Sequence, residues 1–411
     1  MRVMQINFSD SSGGAARSTL RLHQGLQRIG VDSTMLVLMK TTSDPAVVAL
    51  RGLGADFMRR KAWDVNRLPT RPYRNRDRHA SWSVNWLPYT CHWSHIDADL
   101  VHLHWIGAGT VPVPSWPTFR RPVVWTLKDS WAFTGGCHIP HECRHYEDRC
   151  GHCPLLGSSR AVDLSRLSWH LKARALSKMK PVIVTPSTWL ANSARRSNLL
   201  KNARIEVIPN PLDLELFSPA AKEVSRATLG LPLHKKLVAF GAFNAELDLN
   251  KGYDLLKEAL TKVDSTYEVV LFGVSERPSE MTQETHPLGT IRDDSRLAML
   301  FSAVDVLLMP SRSENLPNTI IESLACGTPV VAFRVGGIPE LIEHRENGYL
   351  AEPFDTTDLA RGIAWVLEDV ERHAQLRAAS RAKAEREYEI THIARRYQAL
   401  YIDVLSEAPP R

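Results

Sequence analysis

The sequence predicts two doubly wound parallel sheets, one in each half of the chain, and three observations lead there. Short apolar runs alternate with helical segments from end to end, the pattern of strand–helix–strand units that build parallel sheets. The 411 residues exceed what one ordinary core accommodates, so two domains are expected. A proline-rich stretch without a helical or strand period, PNPLDLELFSPAAKE at 209–223, divides the alternation into two series.

The first series opens with RVMQINF as a strand, then Ser-Ser-Gly-Gly-Ala-Ala and a helix from about Arg17 to Ile29. STMLVLM, LVHLHW and PVVWTL follow as strands. A helix around Leu164–Ser177 leads to PVIVTPS, a further helix, and IEVIPN. The second series runs KLVAFGAF, KGYDLLKEALTKV, YEVVLFG, SRLAMLFSAV and VDVLLMPS, then a helix from near Asn318 and the strand TPVVAFRVGG. The stretch TDLARGIAWVLEDVERHAQLRAASRAKAEREY is strongly helical, and IARRYQALYIDVLSEA reads as a terminal helix. The expected division is a Rossmann-like domain over 1–210, a linker over 211–223 and a second such domain over 224–390. A helix over 391–411 is expected to pack back toward the first domain. Ligands of such sheets lie outside the carboxyl ends of the strands, so two halves facing a cleft would hold a ligand between them.

With 44% hydrophobic and 23% charged residues, the composition is that of a globular protein. No run reaches the roughly 18 apolar residues of a membrane span, and MRVMQINF lacks the features of a signal peptide. A soluble, cytoplasmic protein is expected. The net charge is only +6, but MRRKAWDVNRLPTRPYRNRDRHASW at 58–82 carries eight Lys and Arg with Trp63, Tyr73 and Trp82 interleaved. Three readings stay open for it: a solvated loop, a peripheral contact with the anionic inner face of a plasma membrane, or a nucleic-acid contact. Nucleic acid ranks last, and none is expected as a partner.

The densest chemistry lies in SRSENLPNTIIESLACGTPVVAF at 311–333. VDVLLMPS before it is a buried strand, and Pro317 or Asn318 opens the next helix, whose first-turn N–H groups form an anion site. Glu314 stands in the loop and Glu322 about one turn inside the helix. A carboxylate suits a ribose, because its two oxygens accept from both vicinal hydroxyls. Diol, then phosphates on the helix start, then a second polyol at Glu314 together describe a nucleotide-diphospho-sugar.

The E-x7-E spacing, with VLLMPS before it and CGTPVVA after it, resembles the retaining glycosyltransferases of family 4 on the two-domain GT-B fold. The likeness takes in SSGGAARSTLRLHQGL, DADLVHLHW, TPSTWLANSA, VIPNPLDLELFSP, NKGYDLLKEAL and ENGYL. It implies that Glu322 holds the nucleotide ribose and Glu314 the donor sugar. The backbone of Asn315, Leu316, Pro317 and Asn318 would meet the sugar and diphosphate. Lys251 would neutralise the leaving group, and Gly13 and Gly14 would let the first loop approach the phosphates. No metal is implied for catalysis. Two positions depart from the family: Lys128 stands where a histidine is common, and Ala242 follows Gly241 where an arginine is usual. The donor phosphates would then lean on Arg292, Arg312 or Lys128. The partners implied are a nucleotide-sugar donor and a glycan or lipid-linked acceptor of bacterial surface or exopolysaccharide assembly. The rival readings are a nucleotide-sugar-binding protein of impaired catalysis and a nucleotide-sugar epimerase.

Four of six cysteines fall in TGGCHIPHECRHYEDRCGHCP, the insert 137–153. Cys137, Cys143, Cys150 and Cys153 have the close spacing of a structural zinc site. Unbound thiols and disulfides remain the alternatives, and His138, His141, His145 or His152 could replace one thiol. A similar Cys-rich insert marks a subgroup of family 4. In the first half Trp82, Trp86, Trp93, Trp105 and Trp131 either face sugar rings or fill core. Asp129 is the candidate for the acceptor hydroxyl, and of His102 and His104 at most one is expected to reach the ligand.

Overall fold

The computed structural model describes residues 1–77, 81–86, 96–241, 248–263, 266–273 and 281–407. Arg78, Cys91, Trp93 and Ala242 lie outside the described residues. The chain forms two compact units. One comprises Met1–Pro211 with the C-terminal segment from Ile390, and the other comprises Leu212–Glu389.

The first unit contains β1 (Arg2–Ser9), α1 (Gly13–Arg28), β2 (Asp32–Met39), β3 (Val47–Ala49), α2 (Leu53–Arg67), β4 (Leu100–Leu103), β5 (Val123–Thr126), α3 (Leu164–Met179), β6 (Val182–Thr185), α4 (Thr188–Arg196) and β7 (Ile205–Val207). Its seven strands pair in the order β3-β2-β1-β4-β5-β6-β7, and every pairing is parallel. Both β4 and β5 are buried at all four positions, as strands covered on both faces must be. The direction of winding reverses between β1 and β4, so the crevice for a ligand lies at their carboxyl ends.

Helix α1 starts four residues earlier than its apolar period suggests. Ser12 stands at its N-cap and Gly13, at φ +85°, takes the first position. The two histidines of LVHLHW do not alternate between faces. His102 and His104 are two apart on a strand and so share one face, where both are buried with ring centroids 4.0 Å apart.

The second unit contains α5 (Lys222–Leu229), β8 (Leu237–Gly241), α6 (Tyr253–Leu260), β9 (Glu268–Phe272), β10 (Thr285–Pro287), α7 (Asp294–Ala303), β11 (Val306–Met309), α8 (Asn318–Ala325), β12 (Val330–Phe333), α9 (Ile338–Leu341), β13 (Gly348–Ala351), α10 (Thr356–Leu367) and α11 (Val370–Glu387). Its six-stranded sheet has the order β10-β9-β8-β11-β12-β13, and the winding reverses between β8 and β11. The long helical run after residue 356 is two helices, because Asp369 accepts from the Arg372 N–H at 2.9 Å and starts a new one. The proline-rich stretch is packed rather than loose. Leu212, Leu214 and Phe217 lie in the core of this unit, and Leu212 N–H donates to Tyr388 O.

The last helix, α12 (Ile390–Glu407), belongs to the first unit. Ile393, Tyr397, Tyr401 and Val404 join Val3, Leu26, Leu100 and Val124 in one apolar cluster. Each fully buried side chain of that size contributes about 1.5–3 kcal/mol. Tyr401 Oη pairs with His102 Nδ1 at 2.7 Å, and Tyr397 Oη with Thr126 Oγ1 at 3.1 Å.

Candidate functional site

The second unit brings Lys251 and Glu314 together at the switch between β8 and β11. Lys251 closes a short helical turn ahead of α6, and Glu314 stands in the loop that leaves β11. Lys251 Nζ donates to Glu314 Oε1 at 2.7 Å. The Glu314 carboxylate raises the Lys251 ammonium above its ordinary value against the opposing effect of burial, so this lysine stays charged.

Two further ties latch the loops. Asn250 Nδ2 donates to Ser313 O, and Arg312 N–H donates to Asn250 O, both at 2.8 Å. Arg312 also grips Asp254 with both terminal nitrogens, at 2.9 and 2.6 Å, and holds that carboxyl below the usual range. Arg312 is thus tied to the start of α6 within the unit.

Two glycines make this geometry possible. Gly252 has φ +67°, and a Cβ there would stand 2.0 Å from Pro310 O. Gly336 has φ +58°, and its Cβ would stand 1.9 Å from Glu314 O. Gly337 N–H donates to that same oxygen at 3.0 Å. Sequence reasoning passed over Gly252, Gly336 and Asp254. The signal was present in NKG and VGG, a glycine just past each of two segments that lead to the site.

Asn315, Leu316 and Pro317 complete the loop, and α8 begins at Asn318 without a side-chain cap. Glu322 is 2% exposed on the inner face of α8. Arg292 lies exposed in the coil before α7.

In the first unit the carboxyl end of β1 runs into Gly13 and Gly14 through Asp10. That carboxylate accepts from the backbone and hydroxyl groups of Thr41 and Thr42 at 2.8–3.0 Å. Burial works against its charge, but these bonds outweigh it and hold Asp10 below the ordinary carboxyl range.

Asp129, the candidate for the acceptor hydroxyl, is held in place by three partners. Its Oδ2 accepts from Trp105 Nε1 at 2.8 Å and pairs with His138 Nδ1 at 2.7 Å, while Oδ1 accepts from Trp131 N–H at 2.8 Å. Burial opposes the charge, yet His138 and these donors keep Asp129 ionised. The indoles of Trp105 and Trp131 both stack with the His138 ring, and Trp131 is core. In the basic segment Arg59 and Arg76 donate to backbone carbonyls of their own neighbourhood. Among the described residues no helix is long and apolar enough to cross a membrane.

Lys128 follows β5 and donates to Ser18 Oγ at 2.8 Å and to Asn210 Oδ1 at 3.3 Å. Burial pushes its ammonium down to about 7 from the ordinary 10.5. Between those two pH values the unfolded chain holds a proton that the folded chain lacks, so stability should rise with pH across that window. Replacement by methionine should remove this slope, worth about 1.4 kcal/mol per pH unit at most. Urea midpoints of both proteins on either side of pH 7 check it, and parallel profiles would exclude the effect.

Comparison with known proteins follows the division into units. A family model described as Glycosyltransferase Family 4 matches residues 12–216, and one described as Glycosyl transferases group 1 matches 234–369. A D-inositol 3-phosphate glycosyltransferase of Xylanimonas cellulosilytica is 26% identical over 403 residues, 91% of this chain and 88% of that protein. The counterpart from Mycolicibacterium smegmatis is 31% identical over 195 residues, 44% of this chain and 43% of its own length. Sucrose-phosphate synthase from Thermosynechococcus elongatus superposes with a TM-score of 0.72 at 20% identity, covering 99% of this chain and 100% of that one. Anabaena Alr3699/HepE, solved in complex with UDP-glucose, gives 0.66 at 18% identity over 98% and 100%. At such identities the two structures bear on the fold alone.

Proposed function

The chain is a glycosyltransferase of the family 4 type on a GT-B fold; from that premise we propose that it moves a sugar from a UDP- or GDP-linked donor to a glycan or lipid-linked glycan hydroxyl, with retention of configuration and no catalytic metal. The observation that carries this reading is the Lys251–Glu314 ion pair, set four residues ahead of α8 in the loop leaving β11. A cation held next to a helix start is what a diphosphate leaving group requires.

In this reading Glu322 takes the ribose diol, the first turn of α8 faces the phosphates, and Glu314 takes the sugar hydroxyls. Lys251 shifts from Glu314 to the diphosphate, or bridges both, so the cation is in place before the donor arrives. The bond between the anomeric carbon and the diphosphate oxygen breaks. The acceptor oxygen closes on the same face, and its proton passes to the departing phosphate. The charge on Lys251 stabilises the negative charge that grows there. Anabaena Alr3699/HepE, which shares the fold, was solved with a ligand of the proposed donor class, UDP-glucose, and bacterial surface or exopolysaccharide assembly is the setting that the Cys-rich insert suggests.

A thermal-shift panel of UDP- and GDP-sugars on the wild type and Glu322→Ala tests the donor site. A ligand at a hundred times its Kd adds about 2.7 kcal/mol. Stabilisation by one base family that vanishes in Glu322→Ala is expected. A shift that survives the substitution removes Glu322 from the site, and no shift with any donor sinks the reading. The rival, a donor-binding protein without transfer, draws on Lys128 standing in the histidine's place and tied to Ser18 and Asn210. Release of nucleoside diphosphate together with an extended acceptor excludes it. An epimerase would instead return an altered nucleotide-sugar.

A further inference from the structure

Cys137, Cys143, Cys150 and Cys153 come from four points of a 17-residue insert, yet all four line one small cavity of the first unit, with His145 and Trp82. Its volume of about 20 Å³ is that of a single small guest. All four side chains are free thiols.

The backbone is shaped to turn the sulfurs inward. Cys150, Gly151 and His152 adopt φ of 57°, 94° and 46° in succession, a left-handed run that non-glycine residues adopt only where the surroundings impose it. Those surroundings are present. Cys150 N–H donates to His145 O at 2.8 Å, Gly151 N–H to Ser165 Oγ at 2.9 Å and Cys153 N–H to Asp163 Oδ2 at 2.9 Å. Gly151 itself is required, because a Cβ there would stand 2.2 Å from Ala161 O.

A buried lysine stands behind the insert: Lys172, 0% exposed, donates to Thr134 O at 3.1 Å and lies 3.7 Å from the Trp131 ring centroid. Three of the insert's four histidines have a partner at Nδ1. His138 pairs with Asp129, His145 Nδ1 with Gly151 O, and His152 with Ser159 O. Among the described residues no three His, Cys, Asp or Glu side chains stand close enough to be a formed metal site, so closure requires the thiols to rotate about their side-chain bonds.

We propose that these four cysteines bind one zinc ion as a tetrahedral four-thiolate structural site that fixes the segment carrying His138 against Asp129. Four soft thiolates with no open position select zinc and give it a structural rather than a catalytic place. Each thiol gives up its proton to solvent on binding, and no electron is transferred. The site lies apart from Lys251 and Glu314 in sequence and unit, so it stands or falls independently of the proposed transfer reaction.

The full-length wild type, purified without added metal or chelator, is analysed for zinc by mass spectrometry, and release is followed colorimetrically on titration with an organomercurial. About one zinc per chain, lost in Cys150→Ser and in Cys153→Ser, is expected. Cobalt exchanged into the wild type should show the intense thiolate-to-metal bands of a tetrahedral sulfur site, a readout that does not depend on any variant folding. Zinc well below one per chain with all four thiols reactive overturns the proposal. So does recovery of the four as disulfides, or a cobalt spectrum of octahedral oxygen ligation.

Discussion

Replacing Lys251 by methionine should lower the transfer rate about 100- to 1,000-fold, the usual cost of removing one group that stabilises charge in a transition state. The effect should fall chiefly on kcat, because the charge that Lys251 meets grows as the diphosphate departs. The same change leaves Glu314 without its bond at 2.7 Å, which costs stability of about 1–3 kcal/mol. A loss of activity must therefore be measured on protein shown to be folded. Lys251→Arg separates the two effects, since it keeps the cation but changes its shape. Steady-state kinetics with the donor named by the thermal-shift panel decide the matter. A methionine variant within a few-fold of wild-type kcat would remove Lys251 from the leaving-group role.

Replacing Gly336 by alanine should destabilise the second unit by about 3 kcal/mol and impair activity. Part of that cost is conformational: φ +58° disfavours any residue with a Cβ. The larger part is a collision with the Glu314 carbonyl, a backbone atom that yields only if the whole loop moves. Gly230 supplies the comparison. It has φ +68° with nothing within 4 Å of an added Cβ, so Gly230→Ala carries the conformational cost alone, about 1 kcal/mol. Urea midpoints of the two variants measure the difference. If Gly336→Ala is no less stable than Gly230→Ala, the Glu314 loop is looser than described and the glycine does not position it.

The two sheets were legible because central strands such as VVWT and VLLM are largely apolar and buried at every position. The edges were not. Thr285–Pro287 and Val47–Ala49 are three residues each, and Pro287 is tolerated because it stands at an edge strand. The pairing of Lys251 with Glu314 joins positions 63 apart. Each residue was singled out by its own motif, but no spacing along the chain says that they touch. Asp129 illustrates a stricter limit. A carboxylate after a strand reads as chemistry, whereas its partners Trp105 and His138 come from separate loops and become visible only in the fold. The cysteines were legible as a group through spacing, while the left-handed turn that aims them depends on Ser165, Asp163 and Ala161 outside the insert.

The return of the chain through α12 also orders events during synthesis. The first unit begins at residue 1, yet the apolar face over Val3, Leu100 and Val124 is closed by Ile393, Tyr397 and Tyr401. As the polypeptide emerges from the ribosome, Leu212–Glu389 can bury its own core while the earlier-made half still shows an open flank. The half translated first is thus the half completed last. A chain released early, before residue 390, would carry a finished unit joined to an unfinished one that exposes apolar surface. Chains that lack α12 therefore differ in exposed apolar surface from chains that carry it, and a quality-control protease or chaperone that recognises such surface would meet the former.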